Sequence, residues 1–181
     1  MKKLLLHTCC APCLIYPLKK MRENDISVTG FFYNPNVHPI SEYNARKQAM
    51  EEYNKTDKLE VIYPDYAPDE FFQEVEFNED APGRCSLCWG LRIQKTAAFA
   101  KKGGFDYFST TLLVSPYQDQ DSLKNIGNGI AEKEGINFYY DDFRAGFRQA
   151  HNEAHALGIY CQKYCGCRYS EMERCRQSQK R

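Results

Sequence analysis

The chain has 181 residues, with 24 basic and 24 acidic side chains and no formal net charge. That length allows one domain with a proper core, and no run approaches the ~20 apolar residues that span a bilayer. Lys2 and Lys3 precede only three leucines, too short an apolar region for a signal peptide. The chain is therefore expected in the cytoplasm, without a membrane partner, and any nucleic-acid contact must use a local basic surface.

The predicted elements run in order from a short buried strand, residues 3–8, built on Leu4, Leu5 and Leu6. Pro12 suits the first turn of a helix over residues 13–23, with Leu14, Ile15, Leu18 and Met21 on its apolar face. Residues 26–33, rich in β-branched and aromatic side chains, read as the second strand, and Asn34-Pro35-Asn36 as a turn. A helix is expected over 41–53 with Ser41 as N-cap and Glu42 in its first turn. A third strand follows at 59–63, a short helix at 69–75, and a polar loop at 78–84 that delivers the chain to Cys85 and a long helix ending at Gly103-Gly104. A fourth strand is expected at 105–113, a helix at 122–134, a fifth strand at 136–140 and a last helix at 146–157. Beyond Gly158 lies a Cys-rich tail that closes in the polar stretch 171–181. Strands and helices alternate throughout, which predicts a single α/β domain over residues 1–181: a parallel sheet with helices on both faces, with the tail, residues 158–181, packed on or near the site.

Nine cysteines carry the functional signal. In a reducing compartment clustered cysteines are ligands or redox groups more often than structural disulfides. Cys9, Cys10 and Cys13 follow the first strand, where doubly wound sheets bind ligands. No glycine precedes Gly30, so no phosphate loop stands there. Cys10 and Cys13 are three apart, as are Cys85 and Cys88, so each pair shares a helix face. Helix N-termini favour the thiolate that metals require, and His7 and Arg84 add positive potential. Such thiolates suit an iron–sulfur cluster or zinc, and a thiol–disulfide centre stands as a third reading, with buried idle cysteines as the bland one. A zinc clip fits less well than an iron–sulfur cluster on a sheet that needs none. In the tail, Cys165-Gly166-Cys167 reads as a redox disulfide or a strained turn. His151 and His155, one turn apart, show no third ligand in the sequence and read as a polar helix face. Asp119, Asp121, Asp141 and Asp142 sit at strand ends within reach of a substrate, or are solvated loop carboxylates.

Several motifs together resemble one family. They are His7-Thr8-Cys9-Cys10-Ala11-Pro12-Cys13; Tyr33-Asn34-Pro35-Asn36 with Glu42-Tyr43 and Arg46; Arg84-Cys85-Ser86-Leu87-Cys88 with Arg92; Thr110-Thr111-Leu112 with Ser115-Pro116-Tyr117; and Tyr164-Cys165-Gly166-Cys167-Arg168-Tyr169-Ser170. This combination is similar to that of the QueH epoxyqueuosine reductases. The resemblance implies a Rossmann-like fold of the adenine nucleotide hydrolase type. It implies reduction of the epoxide of epoxyqueuosine at a tRNA wobble position to queuosine, with a [4Fe–4S] cluster, one additional iron, no cobalamin and an external electron donor. It makes Cys9, Cys10, Cys85 and Cys88 the expected cluster ligands, with Cys13 or Asp119 near the extra iron. His7 and Tyr117 become candidates for orienting or protonating the substrate. Tyr33, Asn34, Arg84, Trp89, Ser115 and Arg168 become candidates for binding it, with Tyr33, Trp89 and Tyr117 as platforms for a splayed base. A zinc-bound RNA-binding protein and a thiol–disulfide oxidoreductase are the rival readings.

Overall fold

Leu4, Leu5 and Leu6 are wholly buried because their strand is the middle one of five. A strand covered on both faces cannot alternate apolar with polar, which is why it reads as a continuous apolar run. The computed structural model describes residues 1–179; Lys180 and Arg181, the end of the expected polar tail, lie outside the described residues. The sheet is all parallel, in the order β3 (Val61–Ile62), β2 (Ile26–Phe31), β1 (Lys2–His7), β4 (Tyr107–Thr110), β5 (Asn137–Phe138). Order reverses between β1 and β4, so the ligand crevice belongs at their carboxyl ends. There His7 stands level with Phe31 on one side and Thr110 on the other.

Crossovers leave β1 in opposite directions along the sheet, which puts helices on both faces. α1 (Ala11–Glu23) packs against α6 (Phe147–Ala156), and α4 (Gly83–Lys102) against α5 (Gln120–Glu134). The remaining helices are α2 (Ile40–Asp57), α3 (Pro68–Glu74) and α7 (Arg168–Ser178). No helix among the described residues is long and apolar enough to cross a membrane.

Four local expectations are corrected. The fourth strand stops at Thr110, because the Thr110 hydroxyl accepts from the Leu112 amide and turns the chain into a 3-10 segment, Thr111–Val114. Strands β3 and β5 shrink to two residues each. α2 begins before Ser41, with Pro39 as a cap that offers no side chain; the Glu42 and Tyr43 amides reach the Pro39 carbonyl instead. The helix expected at 146–157 is not the last: the tail holds α7, which buries none of its residues and so shows no apolar period.

α5 lies close to β5 because Gly127 faces the Phe138 ring, which a Cβ there would meet at 2.2 Å. Gly127→Ala should therefore destabilise the fold by about 1–3 kcal/mol. Gly129→Ala, with open space around it, should be neutral or gain about 0.5–1 kcal/mol. Urea midpoints of the two variants check the pair.

Candidate metal centre

The chain leaves β1 extended and enters α1 at once, with Cys10 at the N-cap and Pro12 in the first turn. That abrupt change places Cys9, Cys10 and Cys13 with their sulfurs within 4.8 Å of one another, all buried. Cys9 and Cys10 Sγ are 3.7 Å apart. The Thr111 hydroxyl donates to Cys9 Sγ at 3.3 Å and accepts from the Cys9 amide at 3.1 Å. Hydrogen bonds from Cys10 and Cys13, and then from Thr111, hold Cys9 well below the usual thiol range. Burial pushes Cys10 up, and the hydrogen bond with Cys10 pushes Cys13 up. From the tail, Gln162 Nε2 donates to Cys10 Sγ at 2.9 Å.

His7 sits beneath this group and fastens three strand ends. Its Nε2 donates to the Tyr33 carbonyl at 3.1 Å, since a carbonyl only accepts, and its Nδ1 is 2.9 Å from the Thr110 hydroxyl, which donates. Burial, followed by the nearby Arg92, pushes His7 down to about 3, so the ring is neutral.

Cys85 and Cys88 do not join the first three thiols. They lie on the first turns of α4 and line an adjoining cavity with Trp89, Cys165 and Cys167. Burial pushes Cys88 up to about 12, against the opposing pull of Arg92. Arg92 and Cys165 line both cavities. Arg92 is 1% exposed; its Nε donates to the Cys88 carbonyl, and its Nη2 is buried with no partner. Among the described residues no carboxylate pairs with it. A buried guanidinium needs an anion nearby, and the groups that face it are thiols: Cys88, Cys165 and Cys9. Arg46 is equally buried, bound to Glu42 at 2.8 Å and to the Tyr164 and Cys165 carbonyls at 3.0 Å.

The main cavity, of about 290 Å³, is lined by Cys9, Cys13, Arg46, Arg92, Thr111 and Cys165, with Ser115 and Tyr117 toward its mouth. Tyr117 is 83% exposed and meets Phe147 edge to face at 5.8 Å. Other expected residues lie elsewhere. Asp119 is exposed and caps α5, accepting from the Ser122 amide at 2.9 Å. Asn34 braces the turn through the Thr8 carbonyl. Tyr33 donates to Glu70. Arg84 grips Glu173 with both terminal nitrogens and stacks on Tyr169. Arg168 is exposed at the start of α7. All nine cysteines are free thiols. Arg92 carried no role in the sequence, yet its spacing of four from Cys88 and seven from Cys85 marks the same helix face. Gln162 gave no signal at all.

A parallel α/β fold with three packed, buried thiols at its switch point defines a protein of the doubly wound class with a candidate metal centre. The model of the family described as epoxyqueuosine reductase QueH matches residues 4–173, and this chain belongs to that family. Relatives named epoxyqueuosine reductase QueH from Dehalococcoides mccartyi and Thermotoga maritima are 39% and 37% identical, over 95% and 96% of this chain and 94% and 93% of their own. In fold alone, the chain is similar to the crystal structure of a predicted subunit of tRNA methyltransferase from Methanocaldococcus jannaschii, with a TM-score of 0.58 over 86% of this chain and 74% of that one at 8% identity.

Arg46 is the clasp between α2 and the tail. Arg46→Lys keeps the charge and loses the fork, so backbone amides of residues 160–167 should exchange faster with solvent while those of β1 and β4 stay protected. Equal exchange in both proteins would show that the tail is held by other contacts.

Proposed function

We propose that this chain reduces epoxyqueuosine in tRNA to queuosine with an iron–sulfur cluster and a neighbouring iron, fed by an external electron donor. A tRNA substrate makes the cytoplasm its place of work. The observation that carries the reading is Arg92, a buried cation with a free nitrogen, standing between three packed thiols and a second thiol group across a small cavity. Soft thiolates are the donors that iron–sulfur clusters use, and a cluster with four thiolate ligands is an anion. Cys9, Cys10, Cys85 and Cys88 would hold it, with Cys13 beside them for the additional iron. When bound, such a centre supplies electrons one at a time and, through the extra iron, a Lewis acid for the epoxide oxygen.

The overall change breaks both C–O bonds of the epoxide and forms an alkene. It consumes two electrons and two protons and releases the oxygen as water. The chain's own groups account for the rest. The cavity, of about 290 Å³, would admit the epoxide-bearing ring with the base toward the mouth. There Tyr117 and Phe147 offer ring faces on which a splayed base can stack. The Tyr117 hydroxyl delivers a proton to the departing oxygen. Ser115 accepts from the Tyr117 amide at 3.3 Å, and Asp119 caps the helix that follows, so both position that loop. His7 acts by holding the strand end that carries Cys9. Trp89 lines the inner cavity, while Tyr33, Asn34 and Arg84 shape its surroundings. Cys165 and Cys167 are the pair for a reversible disulfide at the edge of the site, and Arg168 is available to a tRNA phosphate.

Iron, zinc and sulfide analysis of protein purified without oxygen tests the centre. About four or more irons with matching sulfide are expected, lost together with reductase activity in Cys10→Ser and in Cys88→Ser. Zinc without sulfide would overturn the cluster, and a fully active Cys88→Ser would remove the α4 pair from its ligands. In a second test, Tyr117→Phe should keep KM and lower kcat about 10²–10⁴-fold, whereas Tyr117→Ala should also raise KM. Equal kcat in Tyr117→Phe and the wild type would clear the hydroxyl of any part in proton transfer.

A further inference from the structure

The two histidines of α6 gain a neighbour that no spacing rule could supply. The chain leaves α6 after Ala156 and turns at Gly158, where φ is 67°, and Cys161 returns to the helix it has just left. His151, His155 and Cys161 then offer two ring nitrogens and one sulfur, all within 4.8 Å of one another. The group shares no residue with the Cys9, Cys10 and Cys13 group. We propose that His151, His155 and Cys161 form a second metal site, taking a zinc-class divalent cation that fastens the tail to α6 beside the mouth of the main cavity.

Donor chemistry selects the ion. Two imidazoles and a thiolate suit zinc and its borderline neighbours, and they are poor ligands for magnesium or calcium. Distances agree. Around a tetrahedral ion with metal–nitrogen bonds of about 2.0–2.1 Å and a metal–sulfur bond of about 2.3 Å, ligand atoms stand about 3.5 Å apart. Side-chain rotation closes the remaining gap, because His155 is exposed and Cys161 partly so. An independent sign comes from His151, whose Nε2 is shielded from water and bonded to nothing. Its ring is held in place by Phe147, with centroids 4.4 Å apart. Cys161 has only a weak contact to hold it, its thiol donating to the Ile159 carbonyl at 3.5 Å. On metal binding that thiol gives up its proton and the sulfur becomes the third ligand.

Three protein ligands leave one coordination position for water. His151 also lines the main cavity, with Phe147 and Tyr117, so the ion would stand where the substrate enters. The strap it pins, the stretch from Ile159 to Cys165, carries Gln162 to Cys10 and Cys165 to Arg92. The proposal uses residues separate from those assigned to the iron–sulfur centre, and it stands whether or not that centre is confirmed.

Zinc alone is the probe. Full-length protein purified without oxygen is titrated with zinc against a chromophoric chelator, as wild type, His155→Ala, Cys161→Ser and the double variant, with iron and sulfide measured in parallel. The wild type is expected to hold about one zinc per chain more than the double variant. Each single variant should bind at least tenfold more weakly, with iron and sulfide unchanged. Zinc should also slow hydrogen exchange across residues 158–165 in the wild type and not in the double variant. Equal zinc uptake in wild type and double variant overturns the site. So does a parallel loss of iron, which would assign these side chains to the central thiols. Exchange in residues 158–165 that ignores zinc overturns the fastening. His155 is exposed, so its variant tests the site without disturbing the core.

Discussion

A guanidinium removed from water must meet negative charge, and among the described residues Arg92 meets none from a carboxylate. Its Nε donates to the backbone of its own helix, at the Cys88 carbonyl, and its Nη2 is buried with no partner among the described residues. Leaving such a charge uncompensated would cost several kcal/mol. The fold can carry it only if the cysteines around it ionise or an anion occupies the space between them. Arg46, equally buried, is served by Glu42 and two tail carbonyls, so the imbalance is concentrated at Arg92. The thiols and the arginine are thus one electrostatic unit, and each makes the other tolerable.

Sheet topology decides where that unit can form. The order of strands reverses between β1 and β4, and the loops leaving them diverge to open a crevice. His7 and Thr110 tie the two strand ends together at the floor, and Thr111, one residue further, turns its hydroxyl up to Cys9. A neutral imidazole suits this place, because a charged one would add to the positive charge of Arg92. α4 brings the second pair of thiols from the other face of the sheet. The tail closes the side that neither strand reaches. Positive φ at Gly166 (134°) belongs to that closure: a Cβ there would stand 3.1 Å from Arg46 Nη1 and from Val37. A side chain would wedge the tail off its clasp.

Most of this layout was legible in the residues for identifiable reasons. Leu4 to Leu6 announce a strand buried on both faces, and Pro12 announces the helix start that gathers the first three thiols. Cys85, Cys88 and Arg92 share one helix face by their spacing. What escaped depended on contacts distant in sequence or on unusual caps. Thr110 ended its strand by bonding its hydroxyl to Leu112, an option every strand threonine has and few use. α7 buries nothing, so it left no apolar period. Cys161 joins His151 and His155 only because the chain doubles back at Gly158. Gln162 meets Cys10 across 152 positions, a pairing that no local rule anticipates. The site was readable where one helix or strand supplies it; from the tail, the Cys165-Gly166-Cys167 group stood out in the sequence, whereas the partners of Cys161 and Gln162 did not.

That division has a consequence for how the protein comes into being. The tail leaves the ribosome after every element it covers. Until it arrives, the crevice above Cys9, Cys10 and Cys13 has no lid: the Gln162 amide, the Cys165 thiol and the carbonyls that clasp Arg46 are all still to come. During synthesis the thiols are therefore open to whatever supplies metal, and also to oxidants. Once Tyr164 and Cys165 dock on Arg46, that broad opening is reduced to the mouth beside Tyr117. Synthesis thus exposes these thiols first and covers them second.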